Sequence, residues 1–114
     1  MSVKLSSRQV GDVSVVDVAG RITLGEGSSA LRDALRDMVT KNQKKILLNL
    51  GDVSYIDSSG IGELVSGFTT VTNSGGQMKL LNLNKRVKDL LQITKLYTVF
   101  DVHDDEAAAV RSFA

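Results

Sequence analysis

Asp57-Ser58-Ser59-Gly60-Ile61-Gly62-Glu63-Leu64 stands where an apolar, strand-like run gives way to an apolar helical repeat. Upstream, Ile46 to Leu50 reads as a buried strand, with Asp52 to Asp57 as its continuation and loop. Downstream, Ile61, Leu64, Val65 and Phe68 recur at the spacing of one helix face. The junction therefore exposes a helix N-terminus, where unpaired backbone N–H groups and the positive end of the helix dipole meet. A serine hydroxyl there can cap the helix or carry a phosphate, and Ser58 sits at the predicted N-cap. Spacing alone leaves both uses open.

Toward the N-terminus, Val3, Leu5 and Ser7 alternate with Lys4, Ser6 and Arg8, and Gly11-Asp12 supplies turn chemistry before Val13 to Ala19. This pattern predicts a hairpin of two strands. Gly20-Arg21-Ile22-Thr23 and a glycine-flanked loop follow, and Ser28 or Ser29 is the predicted cap of a helix carrying Leu31, Leu35 and Met38 on one face. Lys41 to Lys44 ends that helix.

Toward the C-terminus, Gly75-Gly76 stops the helix that follows Asp57, and Met78 to Leu81 reads as a strand. Asn84 then caps a short helix with Val87, Leu90 and Leu91 inward. Val99 to His103 is a predicted final strand, and Asp104 or Asp105 caps a last helix with Ala107, Val110 and Phe113 on its apolar side. Alternating strands and helices imply an α/β fold in which parallel strand pairs are joined by right-handed crossovers.

A length of 114 residues with 42% hydrophobic content predicts one domain over residues 1–114, large enough to bury a core unaided. With no cysteine, disulfide and thiolate-metal chemistry are excluded. Met1 to Gln9 does not resemble a signal peptide, and no apolar run approaches the ~20 residues of a membrane span. A soluble, cytoplasmic protein is the expectation. The net charge of +1 is made of interspersed acids and bases, and aromatic residues are few, so neither a phosphate backbone nor stacked bases find a footing. The clusters Lys41 to Lys45 and Lys85 to Lys88 read as solvated faces.

Catalytic patterns fail on inspection. The nucleophile elbow Gly-x-Ser-x-Gly is absent, since Asp57 stands where the first glycine belongs, and His103 is the sole histidine available as a base. Gly25-Glu26-Gly27-Ser28-Ser29-Ala30 satisfies a degenerate dinucleotide fingerprint, but Glu26 would face the pyrophosphate and no acidic residue stands at ribose distance. Those glycines read as flexible loop positions. Asp101, His103, Asp104, Asp105 and Glu106 match no recognised ligand spacing, and helix capping accounts for the last three. No metal, no cofactor and no enzymatic activity are expected.

Gly20-Arg21-Ile22, the run from Leu48 to Leu50 through Val53 and Ile56 to Asp57-Ser58-Ser59-Gly60-Ile61-Gly62, and Gly75-Gly76 before Leu80-Leu81 together resemble the STAS domain family. The likeness is to its small stand-alone anti-sigma-factor antagonists of bacteria, and it spans nearly the whole chain. It implies a mixed sheet of four to five strands flanked by about four helices. It also implies partner switching, in which an anti-sigma-factor serine kinase binds the antagonist and releases its sigma factor, and a phosphoserine phosphatase resets the cycle.

The resemblance implies phosphorylation of the serine directly before the glycine, Ser59, with Ser58 as the alternative, and a partner surface of Arg21, Thr23, Asp57, Ser58, Ser59, Gly60, Ile61 and Gly62. Many antagonists carry an acidic residue where this chain has Thr23, so a divergent kinase partner, or an unphosphorylated scaffold or ligand-binding module of the same fold, is the competing expectation. Glycines 60 and 62 either leave room for a partner or pack the helix onto the sheet. Whether the chain self-associates is left open by these motifs.

Overall fold

Period-two burial along the central strands builds the molecule. In the computed structural model, which describes residues 3–113, the chain forms β1 (Val3–Val10), β2 (Val13–Ile22), α1 (Glu26–Thr40), β3 (Lys45–Ile56), α2 (Ser58–Asn73), β4 (Gln77–Leu81), α3 (Lys85–Ile93), β5 (Val102–His103) and α4 (Glu106–Ser112). The strands lie in the order β1-β2-β3-β4-β5, with the β1–β2 hairpin antiparallel and every other pair parallel. Both faces of the central strands are covered, which is why Val13 to Val18 and Ile46 to Leu50 read as nearly unbroken apolar runs.

Alternate residues serve two separate cores. Val16, Val18, Ile46, Leu48, Leu50 and Leu80 join Leu31 and Leu35 of α1, Leu64 and Val71 of α2 and Val87 and Leu91 of α3. Val13, Val15, Leu47 and Leu81 meet Ala109 and Phe113 at α4 on the other face. The rings of Phe68 and Phe100 pack in a T shape, with centroids 5.5 Å apart and planes at 77°.

The hairpin, the mixed five-stranded sheet and the four helices agree with the sequence expectations, and Asn84 and Asp105 cap α3 and α4 as read. Four local readings are corrected. The last strand is confined to Val102–His103, because the chain turns through Tyr97 to Val99 and buries Phe100 instead. In α4 it is Ala109, not the exposed Ala107, that meets the sheet; one short helix offers only one row of contacts, shared with Phe113. Neither Ser28 nor Ser29 caps α1, whose N-cap is Gly25 at φ 97°, a conformation open to glycine. Gly27 is not a flexible loop residue: a Cβ there would stand 2.6 Å from the Arg21 carbonyl oxygen, so α1 sits directly on β2.

Candidate functional site

The C-terminal ends of β2 and β3 are bound together before α2 begins. Arg21 pairs with Tyr55 and Ile22 with Ile56, after register shifts between Asp17 and Ala19 and between Gly20 and Arg21. The Asp57 N–H donates to the Ile22 carbonyl at 3.3 Å, which carries the β2 contact to the first residue beyond the strand.

Asp57, rather than Ser58, is the N-cap of α2, and its extended backbone lets the carboxylate turn back over the first turn. One oxygen, Oδ1, accepts from the Gly60 N–H at 3.0 Å and from the Ser59 hydroxyl at 2.7 Å. The other, Oδ2, accepts from the Leu24 N–H at 3.2 Å, tying α2 to the β2–α1 loop. The Ser59 hydroxyl, then the Gly60 N–H, hold the Asp57 carboxyl below the usual carboxylate range despite partial burial.

The two serines have separate environments. Ser59 is half-buried, and its Oγ lies 3.1 Å from the Oγ of buried Ser28, which itself donates to the Thr23 carbonyl at 2.9 Å. Ser58 is the first residue of α2 and exposed, and among the described residues its hydroxyl has no hydrogen-bond partner. The two glycines divide in the same way. A Cβ at Gly60 would collide with the Ile22 carbonyl and the Ile56 side chain, whereas one at Gly62 would meet nothing within 4 Å. Gly60 therefore serves helix-to-sheet packing and Gly62 leaves the surface open. Buried Ile61 belongs to the core, and Thr23 contributes its backbone carbonyl to the loop.

Beside Ser58 lies a cleft of about 640 Å³, walled by Tyr55 to Ser58 on one side and by Lys85, Arg86, Asp89, Leu90 and Ile93 of α3 on the other. The guanidinium of Arg86 stands 4.4 Å from the centroid of the Tyr55 ring, and that of Arg21 stands 4.6 Å from the same ring. Neither arginine pairs with a carboxylate among the described residues, while Lys85 is engaged by Asp89 at 2.9 Å. Ile93 at the cleft and Leu24 beside Asp57 are 76% and 81% exposed, high for such large apolar side chains.

The structure thus gathers Arg21, Asp57, Ser58, Ser59 and Gly62 at one end of the sheet. Sequence reasoning missed Tyr55, Arg86 and Ile93, and took Lys85 to Lys88 as a solvated face, although Lys85 and Arg86 line the cleft. No helix among the described residues is long and apolar enough to cross a membrane, and no group of three potential metal ligands occurs among them.

Comparison with known proteins agrees with this architecture. The STAS domain matches residues 4–109.

The chain belongs to the STAS domain family.

Among STAS relatives, the anti-sigma-B factor antagonist of Bacillus subtilis is 32% identical over 102 residues, covering 90% of this chain and 92% of the relative. An anti-sigma factor antagonist of Mycobacterium paratuberculosis superposes with a TM-score of 0.84 at 18% identity, covering 98% of this chain and 94% of the other. The phosphorylated form of the Bacillus cell fate determinant SpoIIAA superposes with a TM-score of 0.74 at 18% identity, covering 95% and 97%. At such identities the superpositions speak for the STAS fold, and the arrangement of side chains around Ser58 is read from this chain alone.

Proposed function

We propose that this STAS domain is an anti-sigma factor antagonist that binds an anti-sigma-factor serine kinase, frees the sigma factor that kinase holds, and is switched off by a phosphate at the start of α2. The observation that carries the reading is the exposed Ser58 hydroxyl at the helix N-terminus, without a hydrogen-bond partner among the described residues and set beside a partly apolar cleft. The name of the Bacillus subtilis relative supports the antagonist role, and the existence of a phosphorylated SpoIIAA supports the switch.

The resemblance points to Ser59 as the acceptor; the geometry favours Ser58. A kinase must approach the hydroxyl from outside and align it with the γ-phosphorus of ATP, and Ser59 is half-buried with its proton committed to Asp57. In the transfer, Ser58 Oγ forms a bond to that phosphorus as the bond to the ADP oxygen breaks, and the hydroxyl proton passes to a base of the kinase. The product carries about −1.5 to −2 charges where the helix dipole favours them and the Asp57 carboxylate opposes them. A partner surface matched to a neutral hydroxyl is lost without refolding of the domain. A phosphatase of the cytoplasm would hydrolyse the ester and restore the docking state; the chain itself acts as a binding protein.

Intact-mass and fragment mass spectrometry of the protein from its native cells tests the reading. One phosphate, mapped to Ser58 and absent from Ser58→Ala, is the expected result. Unmodified protein across growth and stress conditions would overturn the switch in favour of a scaffold or ligand-binding module.

A further inference from the structure

We propose that Arg86, braced on Tyr55 and backed by Arg21, is a receiver for a phosphomonoester dianion, and that its occupant is the phosphoryl group carried on Ser58 of the same chain. This rests on the reading of Ser58 as the acceptor and adds a binding site to it.

Three observations converge on the site. Ser58 and Arg86 line one cleft, from α2 and α3 respectively, so a phosphate on the serine enters the space that the arginine borders. The cation there is uncommitted: Lys85 is held by Asp89, whereas Arg86 and Arg21 share one aromatic ring and pair with no carboxylate among the described residues. Both carboxylates of the cleft are engaged elsewhere: Asp89 holds Lys85, and Asp57 accepts from two backbone N–H groups and one hydroxyl of α2 and the β2–α1 loop.

A guanidinium stacked on a ring keeps its N–H fork free at the edge, and that fork matches two phosphate oxygens at once. Holding the arginine on Tyr55 beforehand also lowers the conformational entropy lost on capture. Two like charges on one ring repel, and a dianion close to either of them offsets that repulsion. Capture has a mechanical result as well: the phosphate and Arg86 together fill space between the two walls of the cleft, where Tyr55, Leu90 and Ile93 would otherwise receive a partner. Phosphorylation then closes the docking groove in addition to charging its rim.

The test uses the full chain with phosphoserine installed at position 58 during synthesis by genetic-code expansion. The second ionisation of the phosphate is followed by phosphorus NMR; its ordinary value is about 6. The charged groups facing it are Arg86, Lys85 and Asp89 of α3, Arg21 of β2 and Asp57 ahead of α2. In the parent chain the cationic receiver favours the dianion, so the midpoint lies lower than in Arg86→Ala by roughly half a unit or more, about a threefold change in the ionisation constant. Arg86→Lys recovers part of the shift, and Arg21→Ala shows a smaller one. Arg86 is exposed, and circular dichroism verifies that its variants are folded.

Equal midpoints in the parent and Arg86→Ala would overturn the receiver. Free inorganic phosphate identifies the occupant. It should perturb the Arg86 side-chain resonance in the unmodified chain and leave it unmoved in the phosphorylated one; a saturable shift in the phosphorylated chain would overturn capture in cis. Because the phosphate is installed synthetically, these results judge the receiver alone, while unmodified protein in native cells would count against the kinase switch.

Discussion

The Ser59 hydroxyl donates to the Asp57 carboxylate at 2.7 Å, and through that bond a side chain of the first turn of α2 is locked to the helix's own cap. Ser58, one residue earlier, has no such tie among the described residues. Two adjacent serines of identical chemistry therefore do different work.

Their alanine variants should separate accordingly. Ser59→Ala removes a hydrogen bond to a charged acceptor and the contact with Ser28, and should cost about 1–2 kcal/mol. Ser58→Ala should stay within about 0.5 kcal/mol of the parent. Urea denaturation of the two variants at neutral pH measures both values.

Asp57→Ala deletes the N-cap of α2 and its bond to Leu24, and should lose about 1–2 kcal/mol at neutral pH. The Asp57 carboxyl is held below its ordinary range in the folded chain. Its charged form thus contributes stability that is present above about pH 4 and is lost as pH falls through the folded value. The difference between parent and Asp57→Ala should narrow across that acid window. Asp57→Asn should keep much of the cap while losing the acid dependence. Denaturation curves at pH 7 and pH 3 decide the matter.

Gly60→Ala and Gly62→Ala, two residues apart on one helix, should have opposite signs. At Gly60 the new methyl meets the backbone of Ile22, which cannot move without disturbing β2, so a loss of about 1–3 kcal/mol is expected. At Gly62 the methyl enters open space and the helix gains up to about 1 kcal/mol from propensity. Thermal unfolding of both variants compares them, and partner binding by Gly62→Ala reports separately on whether the open surface is used.

On the other face of the sheet, Arg8 bridges Asp17 at 2.7 Å and Glu106 at 2.6 Å, joining the β1–β2 hairpin to α4. Its guanidinium holds both carboxyls below their usual range, so the bridge acts above about pH 4–5 and fades as pH falls through the lowered values. The groups are partly exposed, and screening limits Arg8→Met to a loss of about 1 kcal/mol, smaller still in high salt. Stability measured against pH at two ionic strengths checks the size and the direction.

Much of this architecture was legible in local pattern. Apolar runs located the central strands, helical spacing marked the inward faces of α1, α2 and α3, and Asn84 and Asp105 announced the helices they cap. These features depend on residues a few positions apart, which one chain segment displays by itself. The strand read over Val99 to His103 is shortened to Val102–His103, because the chain is still turning through Tyr97 to Val99 and buries Phe100 before it reaches β4.

At the site the division is sharper. Capping chemistry and periodicity, both local, were enough to place a helix start at the Asp57-Ser58-Ser59 junction with hydroxyls beside it, although they named Ser58 as the cap. Only the tertiary structure decided that Asp57 is the cap, that Ser59 is secured beside Ser28 while Ser58 faces the cleft, and that Arg86 shares the Tyr55 ring with Arg21. The reason is physical: a hydroxyl's exposure and an arginine's neighbour depend on where the β2–α1 loop and α3 are brought by burying apolar faces elsewhere, and no local spacing encodes that.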